Sequence, residues 1–322
     1  MSSDSKQFEK NIYGRFVIGE PSGTFNEKPR LARQPGKMSH RTDWAADIAR
    51  MGDMLVMGAS LRGSMHYGLS TIRQDSFAVG SDTGTDDCKW IVAAIADGVS
   101  SAEQSHTFAD YMARQAVLIV TAELNSTLPV TLHNIEWSKT ARRLVEISEE
   151  FCRNAAKRTA PEEKAEDINN AAPGSFTKKW ATTLEFGVIQ ASTDKPSGKH
   201  EFVHVTVAGD GAAYTLNRRL GWNTIKAGKK QTGTLASNAV LSLPLSPVDF
   251  SVSFGYLRKN DCFLLTTDGL GDFIGDGDTS LGDFFRRKLP KCESLASFMQ
   301  IADVSLYQAD DDRTIVMIKW MD

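Results

Sequence analysis

The rhythm of apolar and polar positions changes at about Met54. From there MLVMGAS (54–60) and SFAVGS (76–81) read as strands, and KWIVAAIA (89–96), apolar almost throughout, suits a strand buried on both faces. Helical spacing follows: Phe108, Met112, Ala116, Ile119 and Val120 share a stripe. A second helical segment, about 137–156, aligns Leu144, Ile147, Phe151 and Ala155. Residues 158–175 are charged and breaker-rich and read as a loop or flap. ATTLEFGVIQ (181–190) and HEFVHVTVAG (200–209) are strands flanking a hairpin-like turn, and AAYTLN (212–217) continues the sheet. Residues 218–260 are mixed, DCFLLTTDG (261–269) is another buried strand, and helices are expected at about 279–288 and 293–308. DDDRTIVMIKW (310–320) closes the chain as a strand. Before Met54, WAADIARMG (44–52) suits a short helix, and residues 1–40 lack apolar clusters. Strands, a helical pair, more strands and then helices predict a layered α+β domain over 51–322, preceded by a partly disordered extension over 1–50.

Composition narrows the picture. With 322 residues, 41% hydrophobic and 24% charged, the chain can bury a large core. A net charge of −3 gives no basic footprint for nucleic acid. No apolar run approaches the roughly 20 residues of a membrane span, and MSSDSKQFEK has no signal-peptide core. A cytoplasmic protein without membrane or nucleic-acid partners is expected. Cys88, Cys152, Cys262 and Cys292 are far apart and read as reduced, packed thiols.

The chemistry lies in acids at strand ends. Asp97 follows the run 91–96, Asp268 follows 263–267, and Asp311 precedes 314–318. A lone buried carboxylate takes up a proton, and several converging ones repel one another. A hard divalent cation, Mg²⁺ or Mn²⁺, relieves both penalties. Glycine after Asp97 and Asp268 allows a sharp turn and lets a carbonyl face a metal. Any single Asp-Gly is more often only a turn, as expected of Asp210-Gly211 between two strand runs. The combination carries the weight.

RQDSFAV (73–79), IADGVSSAEQS (95–105), ATTLEFGVI (181–189), VTVAGDGAAYTL (205–216), TTDGLGDFI (266–274) and DDDRTIVMI (310–318) occur in this order. Together they resemble the ordered motifs of the PPM/PP2C family of metal-dependent Ser/Thr protein phosphatases, in a bacterial-type form, over about 55–320. The resemblance implies a four-layer αββα sandwich with a two-ion Mn²⁺ or Mg²⁺ site at one edge of the sheets. Asp97 would bridge the ions, the carbonyl of Gly98 would complete one shell, and Asp268 and Asp311 would hold the other ion. Asp311 is chosen over its neighbours because it stands three residues before Thr314, and Asp312 takes the place of the usual Asn. Asp75 would act mainly through metal-bound water, with Gln74 replacing the family's Glu. Asp97, Asp268 and Asp75 are thus the catalytic candidates. Phosphoprotein substrates, opposite a Ser/Thr kinase, are the implied partners.

The chain departs from the pattern at several points. Val99 replaces the familiar His, and the phosphate-contacting Arg of animal members would fall near Ser70. Arg62, His66 and Arg73 are candidate substitutes as phosphate contacts, each weighed against a packing or solvated role. Lys178 and Lys179 stand near where many bacterial members carry an acid for a third metal, which argues against a third ion. GDFIGDGDTS (271–280) lacks the closing Glu of a calcium loop and reads as an acidic rim. Two other readings stay open: a catalytically weak, phosphatase-like module that binds a partner, and a plain metal-binding structural domain.

Overall fold

The computed structural model describes residues 17–18, 41–82, 89–126, 131–161, 164–191, 198–228, 241–245, 250–306 and 310–321. In chain order the elements are β1 (Val17–Ile18), β2 (Trp44–Met51), β3 (Met54–Leu61), α1 (Ser64–Leu69), β4 (Ser76–Ser81) and β5 (Trp90–Ala96). Then come α2 (Ser105–Ser126), α3 (Trp137–Lys157), α4 (Ala165–Asn170), β6 (Leu184–Gln190), β7 (Lys199–Ala208), β8 (Ala212–Asn217) and β9 (Gly221–Lys226). The last are β10 (Ser251–Arg258), β11 (Asp261–Thr266), α5 (Asp268–Ile274), α6 (Ser280–Lys288), α7 (Leu295–Ala302), β12 (Ser305–Leu306) and β13 (Arg313–Trp320).

Two antiparallel sheets face each other. One runs β10-β7-β6-β5-β4, the other β2-β3-β13-β11-β8-β9. Three apolar layers hold the stack together. Met54, Val56, Ile91, Phe263, Val316 and Ile318 pack between the sheets. Phe108, Met112, Val120 and Leu144, from α2 and α3, cover the outer face of the five-stranded sheet. Leu270, Phe284, Phe285 and Phe298, from α5 to α7, cover the six-stranded one. Burying each such side chain contributes about 1.5–3 kcal/mol. The result is the expected four-layer αββα sandwich.

Several local expectations are corrected. WAADIARM is strand β2, not a helix, because it pairs along all of β3, with Ala46 opposite Ala59 and Ile48 opposite Met57. A docking sheet edge outweighs alanine's helix preference. Residues 44–51 therefore lie within the sandwich rather than in an extension, while 1–16 and 19–40 lie outside the described residues. The flap carries α4, the mixed stretch carries β9 and β10, and α7 ends at Ala302. Asp210-Gly211 is the β7–β8 turn, as expected. The described cysteines, Cys152, Cys262 and Cys292, are free and buried, and Cys88 lies outside the described residues. No described helix is long and apolar enough to cross a membrane.

Candidate metal centre

The strand ends of both sheets converge on four carboxylates. Asp97 follows β5, Asp75 precedes β4, Asp268 opens α5 just after β11, and Asp311 lies two residues ahead of β13. Strands β5, β11 and β13 are each paired with a neighbouring strand on both sides.

Threonines fix the backbone around the acids. The Asp97 amide donates to Thr183 Oγ1 (2.8 Å), and the Asp97 carbonyl accepts from Thr182 Oγ1 (2.8 Å) and the Thr183 amide (2.8 Å). Thr267 Oγ1 donates to Asp75 Oδ2 (2.7 Å) while accepting from the Thr314 amide (3.0 Å). Thr267 thereby ties the Asp75 carboxylate of one sheet to β13 of the other. The family motifs contain these threonines, in ATT and TTDG, but the sequence reading gave them no role.

The glycines beside the acids are required for space rather than for positive φ. Neither Gly98 nor Gly269 has positive φ. Both are sites of close approach: a Cβ at Gly269 would lie 1.9 Å from the Asp312 carbonyl oxygen, and one at Gly98 2.9 Å from that of Gln74.

Electrostatics separates these acids from ordinary surface carboxylates. Burial, reinforced by Asp312, pushes Asp75 up to about 7. Burial and then Asp268 push Asp311 up to about 6. Asp97 is raised well above the usual carboxylate range by burial and by the charges of Asp75, Asp268 and Asp311, and it shares a hydrogen bond with Asp75. Four acids thus press on one another. Among the described residues no three His, Cys, Asp or Glu side chains are already gathered into one ion's shell. The donor set is oxygen-only and mutually repelling, which fits a hard divalent cation that keeps several of its waters.

Asp312 behaves in the opposite way. Its buried carboxylate accepts from the Gly63 amide (2.7 Å), His66 Nδ1 (2.8 Å) and the Gln74 amide. These bonds outweigh burial and hold it below the usual range. Burial lowers His66, but the bond to Asp312 outweighs it and His66 titrates higher than a free histidine. Asp312 therefore staples the β3–α1 corner and the segment before Asp75 onto the start of β13. The other two phosphate candidates are buried and internally bonded as well. Arg62 reaches Asp43 Oδ1 (3.0 Å) and the His66 carbonyl (2.8 Å). Arg73 donates to Ser60 Oγ (2.5 Å) and to the Asp75 carbonyl (2.5 Å). The structure thus engages the polar heads of Arg62, His66 and Arg73 within the fold. Lys179 stacks over the Trp180 ring at 4.7 Å.

The family model described as protein phosphatase 2C matches residues 62–305. No curated protein matches the chain significantly. Among solved structures, the chain is similar to a serine/threonine phosphatase of S. agalactiae at 11% identity, covering 87% of this chain and 100% of that one, with a TM-score of 0.49. PppA, a regulatory component of T6SS in Pseudomonas aeruginosa, is 16% identical over 85% of this chain and 99% of its own, with a TM-score of 0.49. RsbX in complex with magnesium is 14% identical over 85% and 99%, with a TM-score of 0.48.

Proposed function

Since the chain belongs to the protein phosphatase 2C family, we propose that it hydrolyses phosphoserine and phosphothreonine in proteins with two divalent ions, Mn²⁺ or Mg²⁺. The observation that carries this reading is the cluster of four mutually repelling carboxylates at the sheet edge. Asp97, on which the charges of Asp75, Asp268 and Asp311 all act, is the bridging candidate. The Gly98 carbonyl would hold one ion, with Asp75 acting mainly through its water, and Asp268 and Asp311 would hold the other. When bound, such a pair of ions lowers the pKa of a water and neutralises phosphate oxygens for in-line attack.

The protein's own part is placement. Thr267 holds the Asp75 carboxylate from the opposite sheet, and Thr182 and Thr183 hold the Asp97 backbone. Val99 brings no proton donor after the first Asp-Gly, so leaving-group protonation falls to solvent. The partners of this reading are phosphoproteins made by a Ser/Thr kinase, and its setting is cytoplasmic.

The test is hydrolysis of a phosphothreonine peptide with and without Mn²⁺, by wild type and Asp268→Asn. Mn²⁺-dependent turnover that collapses in the variant supports the reading. Turnover independent of both metal and variant contradicts it. Metal binding without turnover would favour the partner-binding module, for which the replacement of the family's His by Val99 speaks.

A further inference from the structure

The two sheets do not match in width. β4 closes its sheet, whereas β2 extends the six-stranded sheet by one further strand beyond β3. The inner face of β2 therefore has no strand above it, and a cavity of about 540 Å³ opens there. Its floor is small and mostly apolar, with Ala45, Ala49 and Met51 from β2 and Val56 and Gly58 from β3, and with Asp47 between the two alanines. Phe77 and Val79 of β4 form one wall, and Val117 and Leu118 of α2 overhang it. The volume lies within the range of small-molecule sites, roughly 300–1,000 Å³.

The polar residues of this cavity include two cations of unusual standing. Arg73 is 3% exposed, and its Nε is buried with no hydrogen-bond partner. Arg41 gives its guanidinium only to backbone carbonyls, those of Arg73 (3.1 Å), His106 (3.2 Å) and Asp75 (3.3 Å). Among the described residues neither arginine forms an ion pair. The nearby Asp110 is engaged by Arg114 (3.1 Å) and Ser76 (3.0 Å), and Asp47 Oδ1 accepts from the Ile48 amide (2.8 Å). The lining thus combines a mostly apolar floor with two guanidiniums that feel the charges of Asp110, Asp75 and Asp312 but make direct ion pairs with none of them. A buried donor without an acceptor is costly, and a charged acceptor suits it best.

We propose that this cavity binds an amphipathic carboxylate, with its apolar chain along the inner face of β2 and its head on Arg73 and Arg41. The site stands apart from the phosphatase reading, because its ligand needs neither metal nor phosphate. It is nonetheless wired to the acid cluster, since both arginines donate to the Asp75 carbonyl. Occupancy would therefore be felt at Asp75.

Titration calorimetry of the full chain with decanoate, below its micelle concentration, tests the proposal, with 1-decanol and acetate as controls. Decanoate should bind at one saturable site, and each control on the order of tenfold more weakly. Arg41→Met should weaken decanoate by a similar factor and leave decanol unchanged. Ala49→Phe, which fills the floor, should abolish binding; circular dichroism establishes that it folds. If it does not, the head-group comparison and Arg41→Met still decide. No saturable decanoate binding, equal binding of decanol, or full binding by Arg41→Met would each overturn the proposal.

Discussion

Two buried clusters contain carboxylates, and the protein treats them in opposite ways. Glu185 of β6, 1% exposed, lies against His204 Nε2 of β7 (2.9 Å) and Lys226 Nζ of β9, so strands from both sheets answer its charge. Burial would raise Glu185, but Lys226 and His204 outweigh it and hold it below the usual range. At the sheet edge, Asp75, Asp97 and Asp311 receive no comparable cation and are all raised. A fold that can place a lysine on one buried acid and gives none to Asp75, Asp97 or Asp311 has left those three for a charge it does not itself supply. The same contrast recurs between adjacent residues, because Asp312 is paired with His66 whereas Asp311 is not.

The comparison can be broken most forcefully at the sheet-edge cluster. Asp268→Asn should lower Mn²⁺-dependent phosphopeptide hydrolysis roughly a thousandfold, about 4 kcal/mol of transition-state stabilisation; a loss below tenfold would place the chemistry elsewhere. At the paired cluster the effect is on stability. Lys226→Met leaves Glu185 with His204 alone and should lower the unfolding free energy by about 3 kcal/mol in a urea titration. The matching change at the sheet-edge cluster should have the opposite sign. Asp97→Asn removes one of the repelling charges and should stabilise the metal-free protein by about 1 kcal/mol, with excess chelator present.

Acidity sharpens the contrast with a smaller effect. Asp75 rises from 3.8 to about 7 on folding, so between those values the folded chain holds a proton that the unfolded chain has lost. Its contribution is present at low pH and disappears as pH rises toward 7. Glu185 is lowered, so its contribution is present above its unfolded value of 4.5 and is lost as pH falls. Melting curves in chelator should therefore show wild type losing stability relative to Asp75→Asn from about pH 4 to about pH 7. Saturating Mn²⁺ should remove the trend. A trend of the opposite sign would mean that Asp75 is compensated within the fold.

The acids were legible in the sequence because each ends or begins a strongly apolar run, a pattern that composition alone does not produce. Asp97, Asp268 and Asp311 carried that signal directly, and Asp75 came from its motif. The sandwich was legible through its buried strands, but the edges were not. β2, β9 and β10 are half-buried, so their pattern is diluted, and alanine-rich β2 resembles a helix until β3 is there to pair with it. The support around the acids was hidden for another reason. Thr267, Asp312 and Gly269 act through contacts with distant parts of the chain, and no local spacing records them. Asp312 stood in plain view in the DDD run and was set apart from Asp311 by its distance from Thr314, but its role as a staple rests on its bonds to Gly63, His66 and Gln74.

The central claim is that the sheet-edge carboxylates exist to receive divalent cations, and calorimetric titration with Mn²⁺ at neutral pH tests it without relying on turnover. Wild type should bind more than one ion and release protons on doing so, and Asp97→Asn, folded by circular dichroism, should lose at least one of those ions. Unchanged Mn²⁺ binding in Asp97→Asn, or no binding by folded wild type, would contradict the account.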